Sequence, residues 1–303
     1  QQKTDKTDST ETVTMDGVVF AWTLGATIIG GVQAFVQKVV ANQGRNSALN
    51  GFLMYGLSAV AAFVTLVLFY EVPKELFEIV VFGLLGGVTH AIGNFIRIES
   101  LKSIDSVIYF PINKVLGPLI VIVGGIWWFG ESLALREIIG ITVSICVPLI
   151  LVSSAEKHRQ VNLHLGLILL VISTVLTSFG ALLTKKGLAY DETLLCVMLL
   201  GQIAGAATSL IIFLREKHVR DGKNFGITLA DLKLGAITGV FSFTGFWMLL
   251  KAMSMGQISI VYVIHAHYIL VPIVLSIWWY REHINVRKVA AVGVSFLAIA
   301  LLI

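Results

Sequence analysis

Charge is scarce in this chain. Only 13% of its 303 residues are Asp, Glu, Lys or Arg, and 56% are hydrophobic, whereas soluble domains carry about 25% charge. Mean hydropathy is +0.88. That balance excludes a water-soluble globular domain and leaves little of the chain outside a bilayer. Cysteine is scarce too: Cys146 and Cys196 both fall inside apolar stretches, so no disulfide framework is implied. No GxxxxGK[ST] loop occurs, so this chain does not hydrolyse ATP. Carboxylates are missing from the middle of every apolar stretch; Glu99, Asp105, Asp191 and Asp231 all sit at ends. His265 and His267 lack a Cys or carboxylate neighbour, so neither a metal nor any other cofactor is expected. The net charge of +4 suits loops that meet anionic lipid headgroups, with no nucleic-acid partner implied.

What the chain has in quantity is apolar sequence of membrane-spanning length. Ten spans are expected, near 17–40, 46–69, 76–101, 104–128, 133–153, 162–187, 191–214, 228–253, 257–280 and 284–303. Residues 1–16 read as a polar, disordered tail without the apolar core of a signal peptide. Most connections are short, and the longer basic one, Arg215 to Gly226, reads as a headgroup-facing loop. Two spans stand out. Ser103 to Gly130 has Asn113 and Lys114 at its middle and Pro118 one turn beyond. Gly256 to Tyr280 has His265 and His267 at its middle, with Pro272 one turn after Tyr268. A proline clashes with the carbonyl four residues back, so each span is expected to kink beside its polar centre. Intramembrane charge is costly and marks pathways, and paired broken spans point to a transporter's binding site.

The chain also repeats itself. Residues 127–145 match 278–296 at an offset of 151, with Trp127, Trp128, Glu131 and Arg136 meeting Trp278, Trp279, Glu282 and Arg287. Gly83, Gly87 and Gly93 meet Gly235, Gly239 and Gly245 at an offset of 152. The expected organisation is all-α: a first five-helix repeat over 17–153, a linker over 154–161 and a second repeat over 162–303. Five spans per half is an odd number, so the second half inserts inverted relative to the first.

These features resemble the EamA-type members of the drug/metabolite transporter superfamily. The resemblance rests on Phe129-Gly130-Glu131 before the fifth span, on Lys38 and Lys186 closing the first and sixth, and on the doubled five-span unit. The second half departs from the turn pattern, reading Tyr280-Arg281-Glu282. The resemblance implies a ten-helix carrier in which helices 1–4 and 6–9 enclose a cavity. Helices 5 and 10 would lie at the periphery, where a homodimer could form, and the setting would be a bacterial inner membrane. Family members keep both termini in the cytoplasm. The Lys and Arg count here, seven on the terminal side against fourteen on the other with Arg97 among the fourteen, puts the termini outside instead. Both readings keep the two termini on one side.

Candidate site residues follow from the repeat. Aligning Tyr109 with Tyr262 sets Lys114 opposite His267, and His90 lies midway along the third span. The expected site is a basic cavity for a carboxylate or phosphate, with Lys114 as point charge and Tyr109, Asn113, Tyr262 and His265 as hydrogen-bonding groups. Of the two histidines, His267 is the one expected to face the cavity, since residues two apart on a helix point to different faces. The triose-phosphate translocators of the wider superfamily resemble this layout in placing basic residues on the fourth and ninth spans. The bland alternative is that Lys114 is neutral or paired and the histidines only bridge helices. A coupling proton could pass through His267 or His90, or a counter-substrate could take its place.

Gln33 and Gln37 stand where small multidrug exporters of the superfamily carry a glutamate, which disfavours proton-for-cation exchange. An aromatic cage of Trp22, Tyr55, Phe95 and Trp247 would still allow a cationic or amphipathic substrate. The tryptophan pairs read as interface belts, and Glu131 and Glu282 as carboxylates at the starts of their own helices. The leading expectation is a secondary transporter of a small polar, anionic metabolite working by alternating access. Against it stand a cation exporter and a non-transport scaffold or receptor; nothing supplies the nucleophile–base pair that a lipid enzyme would need.

Overall fold

A computed structural model describes residues 16–70, 73, 77–104, 106–151, 162–188, 193–219, 227–272, 274–275 and 286–303. Residues 1–15 of the tail, the 154–161 linker, Trp278, Trp279 and Glu282 lie outside the described residues. Those described form helices and no strands. In chain order they are α1 (Gly17–Asn42), α2 (Ser47–Phe69), α3 (Phe77–Ser103), α4 (Ser106–Phe129) and α5 (Leu135–Leu151), then α6 (Leu163–Gly187), α7 (Leu194–Val219), α8 (Leu229–Met255), α9 (Ile258–Ala266) and α10 (Val286–Leu302). Among the described residues, 7 helices are long and apolar enough to cross a membrane. Ile258–Pro272 and Val289–Leu302 are shorter apolar helices.

Polar side chains set the helix starts. Asp16, Asn46 and Asn162 accept from backbone N–H groups in the first turns of α1, α2 and α6, and Thr228 with Asp231 forms a capping box on α8. Apolar stripes face outward. On α2, Val60, Phe63, Val64 and Val67 are exposed at i, i+3, i+4 and i+7, an arrangement that suits lipid. Trp127 is 87% exposed, whereas Trp128 turns inward and stacks on Phe179. The tryptophan pair is therefore divided between belt and core.

The two prolines act differently. Despite Pro111 and Pro118, α4 runs unbroken from Ser106 to Phe129. Helix α9 gives way at Ala266 to a 3₁₀ turn, His267–Ile269. Pro272 has no N–H for the Tyr268 carbonyl, and the tightened turn just before it matches that loss. The helix is interrupted on α9 and continuous on α4.

Helices pack across the halves: α1 against α8, α3 against α6, α2 against both α7 and α8, α3 against α7, α4 against α9 and α5 against α10. Glycine permits the closest of these. A Cβ on Gly87 would lie 2.1 Å from the carbonyl oxygen of Gly201, so α3 and α7 touch backbone to backbone. Glu131 does not serve its own helix. Its carboxylate accepts from Ile258 N at 2.6 Å, Ser259 N at 3.0 Å and Ser259 Oγ at 2.6 Å, and so caps α9 of the second half. The start of α5 is served by Glu137, which accepts from Ala134 N at 2.7 Å.

Candidate functional site: a central cavity

Helices α1–α4 and α6–α9 surround a cavity of about 1320 Å³ of empty space, counting its opening to solvent. Two cations lie on its wall, Lys114 from α4 and Arg97 from α3. Lys114 Nζ sits 3.4 Å above the ring centroid of Tyr268, a cation–π contact at the broken turn of α9. Arg97 also reaches the Tyr268 side chain and donates to Gln37 Oε1. Gln37 in turn donates to Asn94 Oδ1 at 3.3 Å and leans on Met54 Sδ, which Gln33 contacts at 3.2 Å. Arg97 thus has an amide as partner where a carboxylate would have cancelled its charge. Among the described residues the cavity wall carries no Asp or Glu. Its two basic side chains face no carboxylate there.

Arg97 corrects the sequence reading, which counted it with the loop charges. It falls in the last two turns of α3, near enough to a membrane face to pass as a loop residue. Yet His90, Asn94 and Arg97 recur at i, i+4 and i+7, so one stripe of α3 aims all three at the cavity. Tyr268 and Gln37 are likewise part of the charged cluster and were not singled out as site residues.

The other expected residues divide. Asn113 lines the cavity and donates to Thr174 Oγ1 at 2.8 Å. Tyr262, His265, His90 and Tyr55 line it as well. The His265 ring stands 5.3 Å from Tyr268 and 6.4 Å from Tyr262 between centroids, and His90 lies edge-on to Phe246 at 5.9 Å. His90 Nε2 and His265 Nδ1 are buried with no hydrogen-bond partner among the described residues. Such nitrogens on a cavity wall are open to a ligand or to water.

Tyr109 is fully buried behind the wall, in the cluster of Ile104, Leu170 and Ile269, with its hydroxyl 3.0 Å from Ser173 Oγ. His267 also turns away. Its Nδ1 donates to the Val263 and Ile264 carbonyls at 3.0 and 3.3 Å, and its ring borders a small recess between α4, α5 and α9. The expected order of the histidines is therefore reversed. The two do face apart, but the His267 face of α9 is the one packed toward α5. Lys114 borders both the recess and the cavity. Of the suggested aromatic cage, Trp22 and Trp247 meet edge-on at 5.6 Å in the packed core, while Phe95 belongs to the cluster of Ala48, Leu49 and Phe213. The four aromatics do not enclose one space.

The sequence of the second half now matters, because it supplies most of the wall opposite the cations. Residues 164–303 match the model of the EamA-like transporter family. The match covers the second half of the chain. EamA proteins are transporters of the drug/metabolite transporter superfamily, and the second half of this chain is similar to them; the seven apolar helices of spanning length among the described residues fit a multi-pass membrane protein. No protein with a curated description matches the chain. A crystal structure of another protein is similar in fold, with a TM-score of 0.74 at 14% identity, over 93% of this chain and 95% of its own. At that identity the likeness is one of fold.

Proposed function

We propose that this EamA-like protein is a secondary transporter of a small organic or inorganic anion, working by alternating access between two inverted five-helix halves of a ten-helix carrier. One observation carries the anion reading. Arg97 and Lys114 converge on a single cavity whose described wall holds no carboxylate. A charge deep in an apolar medium persists only with a partner or with water, and the partners here are the Gln37 amide and the ring and hydroxyl of Tyr268, with no carboxylate among them. An arriving anion supplies what the wall leaves out.

The inverted-repeat reading draws support from the packing. Exchanging each helix for the one five places along turns α1·α8 into α6·α3, and α3·α7 into α8·α2; it maps α2·α7, α4·α9 and α5·α10 onto themselves. All of these pairs occur. The site residues proposed are Arg97, Lys114, Asn113, His90, Tyr262, His265 and Tyr268. Both termini are taken to lie on one side of a bacterial inner membrane.

Thermal-shift measurements on purified protein test the reading, with carboxylates, phosphate and quaternary amines compared on wild type and Lys114→Met. A ligand that binds only the native state raises Tm with its saturation. Stabilisation by anions that disappears in Lys114→Met is expected. Stabilisation by quaternary amines, unchanged in the variant, would overturn it.

A further inference from the structure

The cavity is charged at one end only. We infer that it takes an organic anion with a single charged end and an apolar body, in preference to a compact inorganic anion or to a dianion charged at both ends. This rests on the anion reading above and narrows it.

The helix contacts fix which end is which. Helix α3 runs antiparallel to α6, since Gly86 meets Thr184 while Gly93, further along α3, meets Thr177 and Ser173, further back on α6. It runs parallel to α7, with Gly83 beside Val197 and Gly87 beside Gly201. Arg97 therefore lies at the end of the cavity remote from Val197. From Gly83 to Arg97 is about 21 Å along the helix axis at 1.5 Å per residue. Lys114 shares the Arg97 end, because α4 begins where α3 stops and Lys114 falls in its third turn.

The opposite end is built from Ala181, Val197, Leu249 and Met253, with Phe246 between the ends. The Thr184 hydroxyl there already donates to the Gly180 carbonyl at 2.8 Å. Gln202, deeper along α7, is neutral, though its buried Oε1 has no partner among the described residues. Beyond this end Lys185 Nζ is already engaged by the Met253 and Gly256 carbonyls and is not part of the cavity wall, so an anionic group placed among Val197, Leu249 and Met253 would lose its hydration and meet no cation on the wall. A methylene placed there would leave water for an apolar wall. The cavity thus matches a molecule whose charge and apolar surface are segregated along its length.

Isothermal titration of the full-length protein in nanodiscs separates the possibilities. The probes are acetate, phenylacetate, 4-phenylbutyrate, adipate, suberate, inorganic phosphate and tetraethylammonium, with Leu249→Lys as a second variant. Affinity should rise along the monocarboxylates by about fourfold per buried methylene. The dicarboxylates should bind at least roughly tenfold more weakly than 4-phenylbutyrate, since their second charge goes unpaired. Leu249→Lys, which adds a cation at the apolar end, should reverse that order. Phosphate or dicarboxylates binding wild type as tightly as 4-phenylbutyrate would overturn this inference and leave the anion reading standing. A response to tetraethylammonium alone, or to no anion, would overturn both.

Discussion

At the scale of single residues, the decisive feature is that Arg97 faces Gln37. Replacing that amide by a carboxylate changes charge with little change in shape. Gln37→Glu should neutralise Arg97 and repel an incoming anion, weakening anion binding by about tenfold or more while leaving Tm at least as high. Isothermal titration beside a melting curve checks both parts, and unchanged affinity would remove Arg97 from the site. Tyr109 makes the opposite case. Its hydroxyl meets Ser173 Oγ away from the cavity, so Tyr109→Phe should cost about 1 kcal/mol of stability and leave ligand affinity alone. Lys114 was legible in the sequence because a lysine at the centre of an apolar span has few innocent explanations. Arg97 was not, because it lies toward the end of its span, where arginines ordinarily reach the interface. Only the stripe it forms with His90 and Asn94 gave a sign. His265 and His267 were legible as a pair facing apart, but which one meets the cavity depends on where α9 packs.

At the scale of elements, the turn between α4 and α5 reaches into the second half. Glu131 binds two N–H groups and a hydroxyl at the start of α9, and α9 carries Tyr262, His265 and Tyr268 to the cavity. Loss of a helix N-cap costs about 0.5–2 kcal/mol. Glu131→Ala should therefore lower Tm and, by loosening α9, weaken ligand binding as well. An equal Tm in the variant would show that the cap contributes nothing to stability. The contact between α3 and α7 is less forgiving. Gly87→Ala drives a methyl group into the Gly201 backbone, and overpacking of this kind costs about 1–3 kcal/mol; a melting curve reads it directly. The repeated glycines announced close packing in the sequence. The capping of α9 by Glu131 could not be read there, since the carboxylate and the helix that donates to it are far apart in the chain.

At the scale of the whole molecule, side chains that carry charge link the halves at two opposite faces. Near the start of α2, Arg45 pairs with Asp231 at 2.8 Å and Asn46 donates to Glu216 at 2.8 Å, both across to the second half. At the other face Glu131 of the first half holds α9 of the second. A carrier that alternates must release one set while keeping the other. The partly buried pair Arg45–Asp231 is one candidate for the set that opens. The central claim remains that an anion crosses through the Arg97–Lys114 cavity. The most direct test is uptake of a radiolabelled anion, chosen by its stabilising effect, into proteoliposomes holding wild type, Lys114→Met or Gln37→Glu protein. Saturable uptake by wild type, lost in Lys114→Met and sharply reduced in Gln37→Glu at equal folded protein, is the predicted result. Equal uptake by all three would contradict the account.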